Sequence, residues 1–197
     1  SNWAGLSDVT TAMQVQRGLG SSKLAISSVG GTINIITKTT DLKEGGSIVS
    51  SVGNDGYFKN LASYNTGKNE NGFAASFLIS RTAGNGYVDG TQSEGFNYFV
   101  GLGWDKGDHN FQFMLTGAPQ THNQRTTSFF NMATIGDYLK YGKKYNYNHG
   151  YLNGEEFNWR QNFYHKPITS FNWSWDINET SSLTTSAYVS FGRGGGT

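Results

Sequence analysis

Residues 28–38 read Ser-Val-Gly-Gly-Thr-Ile-Asn-Ile-Ile-Thr-Lys, and residues 13–18 read Met-Gln-Val-Gln-Arg-Gly. Both runs are rich in β-branched or alternating apolar residues, so each predicts a strand. Between them, Ser21 or Ser22 can cap a short helix over residues 23–26, and Gly30-Gly31 lacks the β-carbons that would block a tight turn. The sequence therefore predicts a compact opening unit of strand, helix and strand within residues 1–40.

The composition favours many short strands over helices. Phe, Tyr and Trp make up 15% of the 197 residues, and the chain has 27 glycines and 2 prolines. The formal net charge is +1 and no block of like charge occurs, so we expect no nucleic-acid partner. Because the sequence has no cysteine, disulfides and thiolate metal sites are excluded.

From Gly46 onward, apolar and polar residues alternate with a period of two. The clearest strand places Phe96, Tyr98, Val100, Leu102 and Trp104 on one face and Asn97, Phe99, Gly101 and Gly103 on the other. Similar segments cover residues 47–52, 57–66, 73–80, 111–116, 168–177 and 183–191. This pattern predicts about seven antiparallel strands within residues 41–197.

Two asymmetries predict an all-β membrane protein, part of a large antiparallel transmembrane β-barrel. One face of the strands is apolar, whereas the other carries Ser, Asn, Gln, Gly and Asp instead of the second apolar face of a sandwich. The links near residues 68, 106 and 179 are short and those near 85 and 120–160 are long, as in outer-membrane barrels, with the hairpin at 53–56 as the exception. About seven strands would leave two open edges, which hydrocarbon does not tolerate, so we expect further strands outside this chain.

A long connection from Pro119 to about Asn162 is rich in Tyr, Asn, Gly and Lys. Connections of this length within compact domains are usually functional or mobile. Its aromatic rings offer faces for stacking on sugars, haem or a siderophore. The candidate ligand contacts are Tyr138, Tyr141, Tyr145, Tyr147, Tyr151 and Trp159. In the alternative interpretation, these rings pack the connection on itself or on neighbouring loops.

The sequence predicts no enzyme, no metal site and no cofactor. His122, His149, Glu155 and Glu156 have donor atoms that bind metals, but they lack a recognised ligand spacing and are expected to be solvated loop residues. No Ser/His/Asp or Cys/His arrangement has a catalytic context. The run Gly18-Leu19-Gly20 lacks the βαβ unit that a nucleotide-binding glycine motif requires.

The opening stretch resembles the end of the plug domain of TonB-dependent outer-membrane transporters. The family pattern is a Glu-Val-hydrophobic-Arg-Gly-Pro element, followed by a Gly-Gly-hydrophobic-Ile-Asn-Ile-Ile-Thr-Lys strand just before the barrel. The second element is matched almost letter for letter, and the first departs at Leu19, where proline is usual. The matching motif residues are Gly18, Gly30, Gly31, Asn34 and Lys38. The resemblance implies that residues 1–40 are the C-terminal part of a small α+β plug domain, and that residues 41–197 are the N-terminal strands of a transmembrane β-barrel.

The resemblance further implies active uptake of a scarce ligand across the outer membrane of a Gram-negative cell. The ligand would be a siderophore, haem, cobalamin, glycan or peptide. The expected partners are outer-membrane lipid, an extracellular small ligand, TonB through a segment outside this chain, and a surface lipoprotein. Plug arginines of the family pair with carboxylates on the barrel wall, so Arg17 is the expected latch between plug and barrel, with its partner beyond residue 197. In the alternative interpretation, Arg17 bonds local turn carbonyls.

Two functions of other classes compete with energised transport. A passive porin or adhesin barrel would share the strands but lack energy coupling, and the plug-like stretch is the feature that argues against it. A soluble lipid-binding β protein would need a packed interior. The polar inward positions argue against that packing.

Overall fold

The computed structural model describes residues 12–17, 31–36, 38–125 and 132–197. Two short strands, β1 (Ala12–Arg17) and β2 (Gly31–Ile36), pair antiparallel from Ala12 opposite Ile36 to Arg17 opposite Gly31. The sequence prediction of these two strands is confirmed. The helix expected over residues 23–26 lies outside the described residues.

Among the described residues, seven long strands form the main sheet, and each pairs antiparallel with its neighbour. They are β3 (Gly45–Val52), β4 (Phe58–Asn65), β5 (Phe73–Gly84), β6 (Ser93–Lys106), β7 (His109–Gly117), β12 (Ile168–Asn178) and β13 (Ser181–Ser190). Their spatial order follows the chain from β3 to β7 and then β12 and β13. The segments that alternate in the sequence are therefore the segments that form strands.

Three short strands continue this sheet beyond two proline positions. They are β8 (Gln120–Asn123), β11 (Gln161–His165) and β14 (Arg193–Gly196). β6 pairs with β7 at Tyr98 opposite Gly117 and with β8 at Gly95 opposite Gln120, so the register is unchanged across Pro119. The sequence prediction of one irregular connection from Pro119 to about Asn162 is thus wrong at both ends. Proline removes a backbone donor and interrupts the strand assignment there without ending the pairing.

The segment between β8 and β11, residues 124–160, is here named the excursion. It contains a short helix, α1 (Ile135–Tyr141), and a hairpin of β9 (His149–Leu152) and β10 (Glu155–Asn158). The hairpin turns at Asn153 and Gly154, which have φ angles of 54° and 85°. Positive φ is the backbone requirement of such two-residue hairpin turns. No helix among the described residues is long and apolar enough to cross a membrane.

The sheet buries its polar face and exposes its apolar face. In β5 the side chains of Phe77 and Ile79 are 44% and 66% exposed, whereas those of Ser76 and Leu78 are 0% and 2% exposed. In β6 the buried positions are Asn97, Phe99, Gly101 and Gly103, and the more exposed positions are Phe96, Tyr98, Val100, Leu102 and Trp104. We name the first side the covered face and the second the apolar face. The predicted division of β6 into two faces is confirmed.

The middle of the covered face carries a short helical segment and a small apolar cluster. A 3-10 helix, Thr39–Asp41, lies against β5 and β6, and its Thr39 and Thr40 are buried. Leu61, Leu78 and Phe99 form a compact apolar cluster, against which Met114 packs.

The connections between the strands lie at two opposite ends of the sheet. The turn end holds the connections 66–72, 107–108 and 179–180, and the loop end holds the connections 53–57, 85–92 and 118–167. The long connections therefore all lie at one end of the sheet.

Candidate functional site at the loop end

The excursion packs onto the neighbouring loop 85–92 through backbone and amide contacts. The Asp89 N–H donates to the Lys144 carbonyl at 2.8 Å, and Asn146 Nδ2 donates back to the Asp89 carbonyl at 2.9 Å. Asn158 Nδ2 donates to the Gly90 carbonyl at 2.6 Å. Because Asn146 is buried, at 2% exposure, its hydrogen bond is shielded from competing water. These contacts fix the excursion to the wall of the sheet.

Charged and amide side chains add further contacts between the excursion and its neighbouring loops. His149 Nε2 lies 2.9 Å from Glu156 Oε1, and Gln92 Nε2 donates to the same oxygen at 2.8 Å. Lys144 Nζ lies 3.4 Å from Asp55 Oδ1, which joins the excursion to the hairpin loop 53–57. The three loops of this end are therefore linked to one another. Asp55 itself has φ 56° and is followed by Gly56 with φ 69°, the positive φ angles that tight hairpin turns require.

The short helix α1 is held by a capping box. The Asp137 N–H donates to Thr134 Oγ1 at 3.1 Å, while the Thr134 N–H and hydroxyl donate to Asp137 Oδ2 at 2.8 and 2.7 Å. These hydrogen bonds stabilise the carboxylate, so the pKa of Asp137 is lowered from its ordinary value. No residue of α1 is buried, and Ile135 and Leu139 are 79% and 84% exposed. The cap therefore carries much of the local order of a helix that has little packing.

The six aromatic residues predicted as ligand contacts all lie on the excursion. Tyr141 and Tyr145 stack on each other with ring centroids 4.9 Å apart. Tyr151 lies 5.9 Å from the His149 ring, and Trp159 meets the edge of Phe157 at 6.4 Å. Tyr141, Tyr147, Tyr151 and Trp159 are exposed, and Tyr138 and Tyr145 are half-buried. Four of the six rings thus lie in three separate ring contacts, and the role of the six residues as ligand contacts stays a prediction.

A cleft of about 470 Å³ opens where the excursion leaves the sheet. Its lining residues are Tyr87, Val88, Thr91, Asn123, Gln124 and Arg125. Lys144 Nζ lies 5.2 Å from the centroid of the Tyr87 ring, so a cation contacts one of the rings that line this cleft. An aromatic face, amide groups and a guanidinium together suit a ligand with carboxylate, phenolate or hydroxyl groups. Sequence reasoning missed Tyr87 and Arg125, because neither belongs to a motif and they lie on different connections.

The resemblance-based residues of the opening unit are only partly described. Arg17 ends β1 opposite Gly31, and Asn34 lies in β2 opposite Gln14, but the side chains of both strands lie outside the description. Gly18 and Gly30 also lie outside the described residues. Lys38 Nζ pairs with Asp41 Oδ1 at 3.1 Å. The latch role of Arg17 and the plug motif therefore stay predictions.

The histidines and glutamates considered as metal ligands do not cluster. Within residues 38–125 and 132–197 and the two opening strands, no group of three or more His, Asp or Glu residues could hold a metal ion. His149 and Glu156 pair with each other, whereas His122 lies against the Tyr164 ring and Gln124. The arrangement thus resembles a polar contact surface between loops.

A comparison with solved structures finds similarity to the siderophore receptor PiuA from Acinetobacter baumannii. The TM-score is 0.70 at 14% sequence identity, and the match covers 95% of this chain and 27% of that chain. The chain thus spans about a quarter of the length of the receptor that it matches. No family model matches the sequence, and no curated protein does. At this identity the similarity shows the fold: a mostly antiparallel β-sheet that matches part of a β-barrel receptor.

Proposed function

We propose that this chain is part of a TonB-dependent transporter of the Gram-negative outer membrane, which takes up a scarce ligand. In this proposal, residues 1–40 are the end of the plug domain and residues 41–197 are early strands of the barrel wall. The observation that carries the proposal is that the apolar face of the sheet is exposed. On β5, Phe77 and Ile79 are exposed, whereas Ser76 and Leu78 on the covered face are buried. The plug-like sequence of β2 and the fold similarity to a siderophore receptor support it.

A lipid bilayer would explain why the apolar face of the sheet is exposed. The exposed side chains of the apolar face would form a large apolar patch in water, which soluble proteins avoid unless it binds something. Lipid acyl chains remove that cost, and strands of 12 and 14 residues are long enough to cross the hydrocarbon layer when tilted. Trp104, Phe111 and Trp173 stack near the turn end of the apolar face. This row is suited to the aromatic girdle at a membrane interface.

The loop end is the proposed ligand-binding end. Short turns face the periplasm and long loops face the outside in barrels of this type, so the cleft beside Arg125 and the aromatic rings of the excursion would meet the ligand first. The candidate ligands are a siderophore, haem, cobalamin, a glycan or a peptide. The proposed partners are TonB, through a segment outside this chain, and a surface lipoprotein at the loop end.

Growth on single limiting nutrients tests this function. A strain that lacks the full receptor is compared with its parent and with a complemented strain, on limiting iron from a siderophore, haem, cobalamin, glycans or peptides. We expect one nutrient to support the parent and the complemented strain but not the deletion strain. Equal growth of all strains on every nutrient would contradict an uptake function.

A second arm separates active from passive transport. The parent is tested on the nutrient identified by growth, with TonB deleted and, separately, with the proton gradient collapsed. We expect uptake to stop in both cases. Uptake that continues without TonB would instead favour the passive porin, and ligand binding without uptake would favour the adhesin.

A further inference from the structure

The connection between β2 and β3 is fixed to the sheet at one short segment. The 3-10 helix Thr39–Asp41 lies on the covered face of β5 and β6, and Thr39 and Thr40 are 2% and 4% exposed. Lys38, just before this helix, and Asp41, its last residue, form an ion pair with partly exposed side chains, which contributes little to stability. Burial thus distinguishes Thr39 and Thr40 from Lys38 and Asp41 on either side of them.

One side chain, Gln112 of β7, bonds both buried threonines. Gln112 Oε1 accepts from the Thr39 backbone N–H at 3.1 Å, and Gln112 Nε2 donates to Thr40 Oγ1 at 2.9 Å. The same Nε2 donates to Asn110 Oδ1 at 3.1 Å, which fixes the amide orientation. Both ends of the amide are thus used. Loss of this side chain would leave the buried Thr39 N–H unpaired, and Thr40 Oγ1 would keep only the longer hydrogen bond from Asn110 Nδ2 at 3.5 Å.

The strand beside β7 is shaped to receive the segment. Gly101 and Gly103 of β6 lie on the covered face, and a β-carbon at Gly103 would stand 2.6 Å from Thr40 Cγ2. A β-carbon at Gly101 would likewise overlap Thr39 Oγ1. Glycine at these positions therefore lets the segment lie directly on the strand. Ser76, opposite Gly101 in β5, is completely buried beneath it.

We propose that Gln112 is the anchor that stops displacement of the opening unit at Thr39. This inference rests on the proposed function, TonB-dependent uptake, and takes TonB to act on the chain by pulling the plug away from the barrel wall. The residues that precede Lys38 can then be displaced, while Thr39 and Thr40 stay bound to Gln112. The strands of the main sheet keep their register. Gln112 acts as a positioning residue for the connection and has no direct contact with ligand in this role.

Cysteine reactivity in the full receptor tests the anchor. Thr39→Cys keeps the backbone N–H that donates to Gln112 Oε1, and residues 1–197 contain no other cysteine. A second reporter, Thr32→Cys, lies ahead of the anchor in β2. Each variant is labelled in cells with a small maleimide, with and without uptake of the nutrient identified by growth. We expect labelling of the Thr32→Cys variant to rise during uptake and the thiol of the Thr39→Cys variant to stay protected.

Removing the anchor should expose the thiol at position 39. Thr39→Cys is combined with Gln112→Leu and, separately, with Thr40→Val. During uptake, we expect the thiol at position 39 to be labelled about tenfold faster or more in these double variants than in the Thr39→Cys variant, because buried hydrogen bonds are lost. Thr116→Val is the matched control, because Thr116 lies on the same strand and bonds the Tyr98 carbonyl instead of the segment. Thr40→Val is nearly isosteric and keeps the test open if Gln112→Leu does not fold.

The two failures are distinguishable. Uptake with the same labelling at position 39 in the parent, Gln112→Leu and Thr40→Val backgrounds would overturn the anchor and leave the transport function standing. A thiol at position 39 that is already labelled during uptake in the parent background would also overturn it. Absence of any uptake would overturn the proposed function, and the anchor with it.

Discussion

The imidazole of His149 occupies the space that a β-carbon at Gly90 would need. Gly90 is buried in the loop between β5 and β6, and its φ is 69°. His149 begins the β9–β10 hairpin of the excursion, nearly 60 residues further along the chain. The close approach of these two residues therefore fixes the excursion to the loop beside it.

Replacing Gly90 should loosen the excursion. Gly90→Ala adds a methyl group against the His149 ring and also strains a backbone that favours glycine, at a cost of about 1–2 kcal/mol for the strain alone. We expect faster protease cleavage within residues 142–158 of the full receptor. Gly107→Ala is the matched control, since Gly107 has φ 60° but nothing within 4 Å of the added carbon. Equal cleavage in the two variants would contradict a specific role for the Gly90–His149 contact.

A charge on the apolar face should destabilise the protein according to its depth. Ile79→Arg places a cation at a 66% exposed apolar position in the middle of the sheet, where lipid contact would make it cost about 2–4 kcal/mol. Ile177→Arg carries the same change near the turn end and should cost about 0–1 kcal/mol. The measurement is denaturant unfolding of the full receptor in lipid bilayers. A smaller effect at Ile79 than at Ile177 would contradict a lipid-facing apolar face.

Acid should weaken α1 through its cap. The pKa of Asp137 is lowered by the hydrogen bonds from Thr134, so the folded helix favours the carboxylate. A lowered pKa contributes stability above the ordinary value of 3.8, and this contribution is lost as the pH falls through the pKa of the folded state. We expect hydrogen exchange of the α1 amides to accelerate below pH 4 beyond its intrinsic pH dependence. Asp137→Asn should remove most of that extra acceleration, and an unchanged profile in this variant would contradict the cap.

The cleft at the loop end should respond to the loss of its guanidinium. Once growth tests identify the ligand, we expect Arg125→Ala to weaken binding by about tenfold or more, the usual effect of losing a charged hydrogen bond. Arg160→Ala is the control, because Arg160 is exposed on the excursion outside the residues that line the cleft. Titration calorimetry with the full receptor gives both affinities. Equal affinity in the two variants would exclude the cleft as a ligand contact.

Tyr87 should contribute to the same cleft through its ring. Tyr87→Leu removes the aromatic face that Lys144 approaches at 5.2 Å, whereas Tyr87→Phe keeps it. We expect only the leucine variant to weaken binding of the ligand, since stacking and cation–π contacts need the ring. A loss of affinity in both variants would instead point to the Tyr87 hydroxyl.

Most of the sheet could be predicted from the sequence because period-two alternation is a local property. The faces of β6 follow directly from the order of Phe96, Asn97, Tyr98 and Phe99 in the chain. The continuation of the sheet through β8 and β11 could not be predicted in the same way. Pro119 and Pro167 interrupt the local signal there, whereas the pairing partners that preserve the register lie on other strands.

The candidate site depended much less on local signals. The sequence placed aromatic residues on the excursion, but it could not pair Tyr141 with Tyr145 or bring Arg125 close to Tyr87. Gln112 carried no signal, since a glutamine on the polar face of a strand is ordinary. Only its contacts with Thr39 and Thr40 distinguish it.

The sequence by itself determined the strands, their two unlike faces and the distribution of long and short connections, because alternation and turn residues act between near neighbours in the chain. The tertiary structure decided where the excursion docks and which residue holds the segment before β3. Lys144 meets Asp89, and Gln112 meets Thr39, across sequence separations of 55 and 73 residues. Contacts between residues so far apart in the chain depend on how the strands pair within the sheet, and no local sequence pattern encodes them.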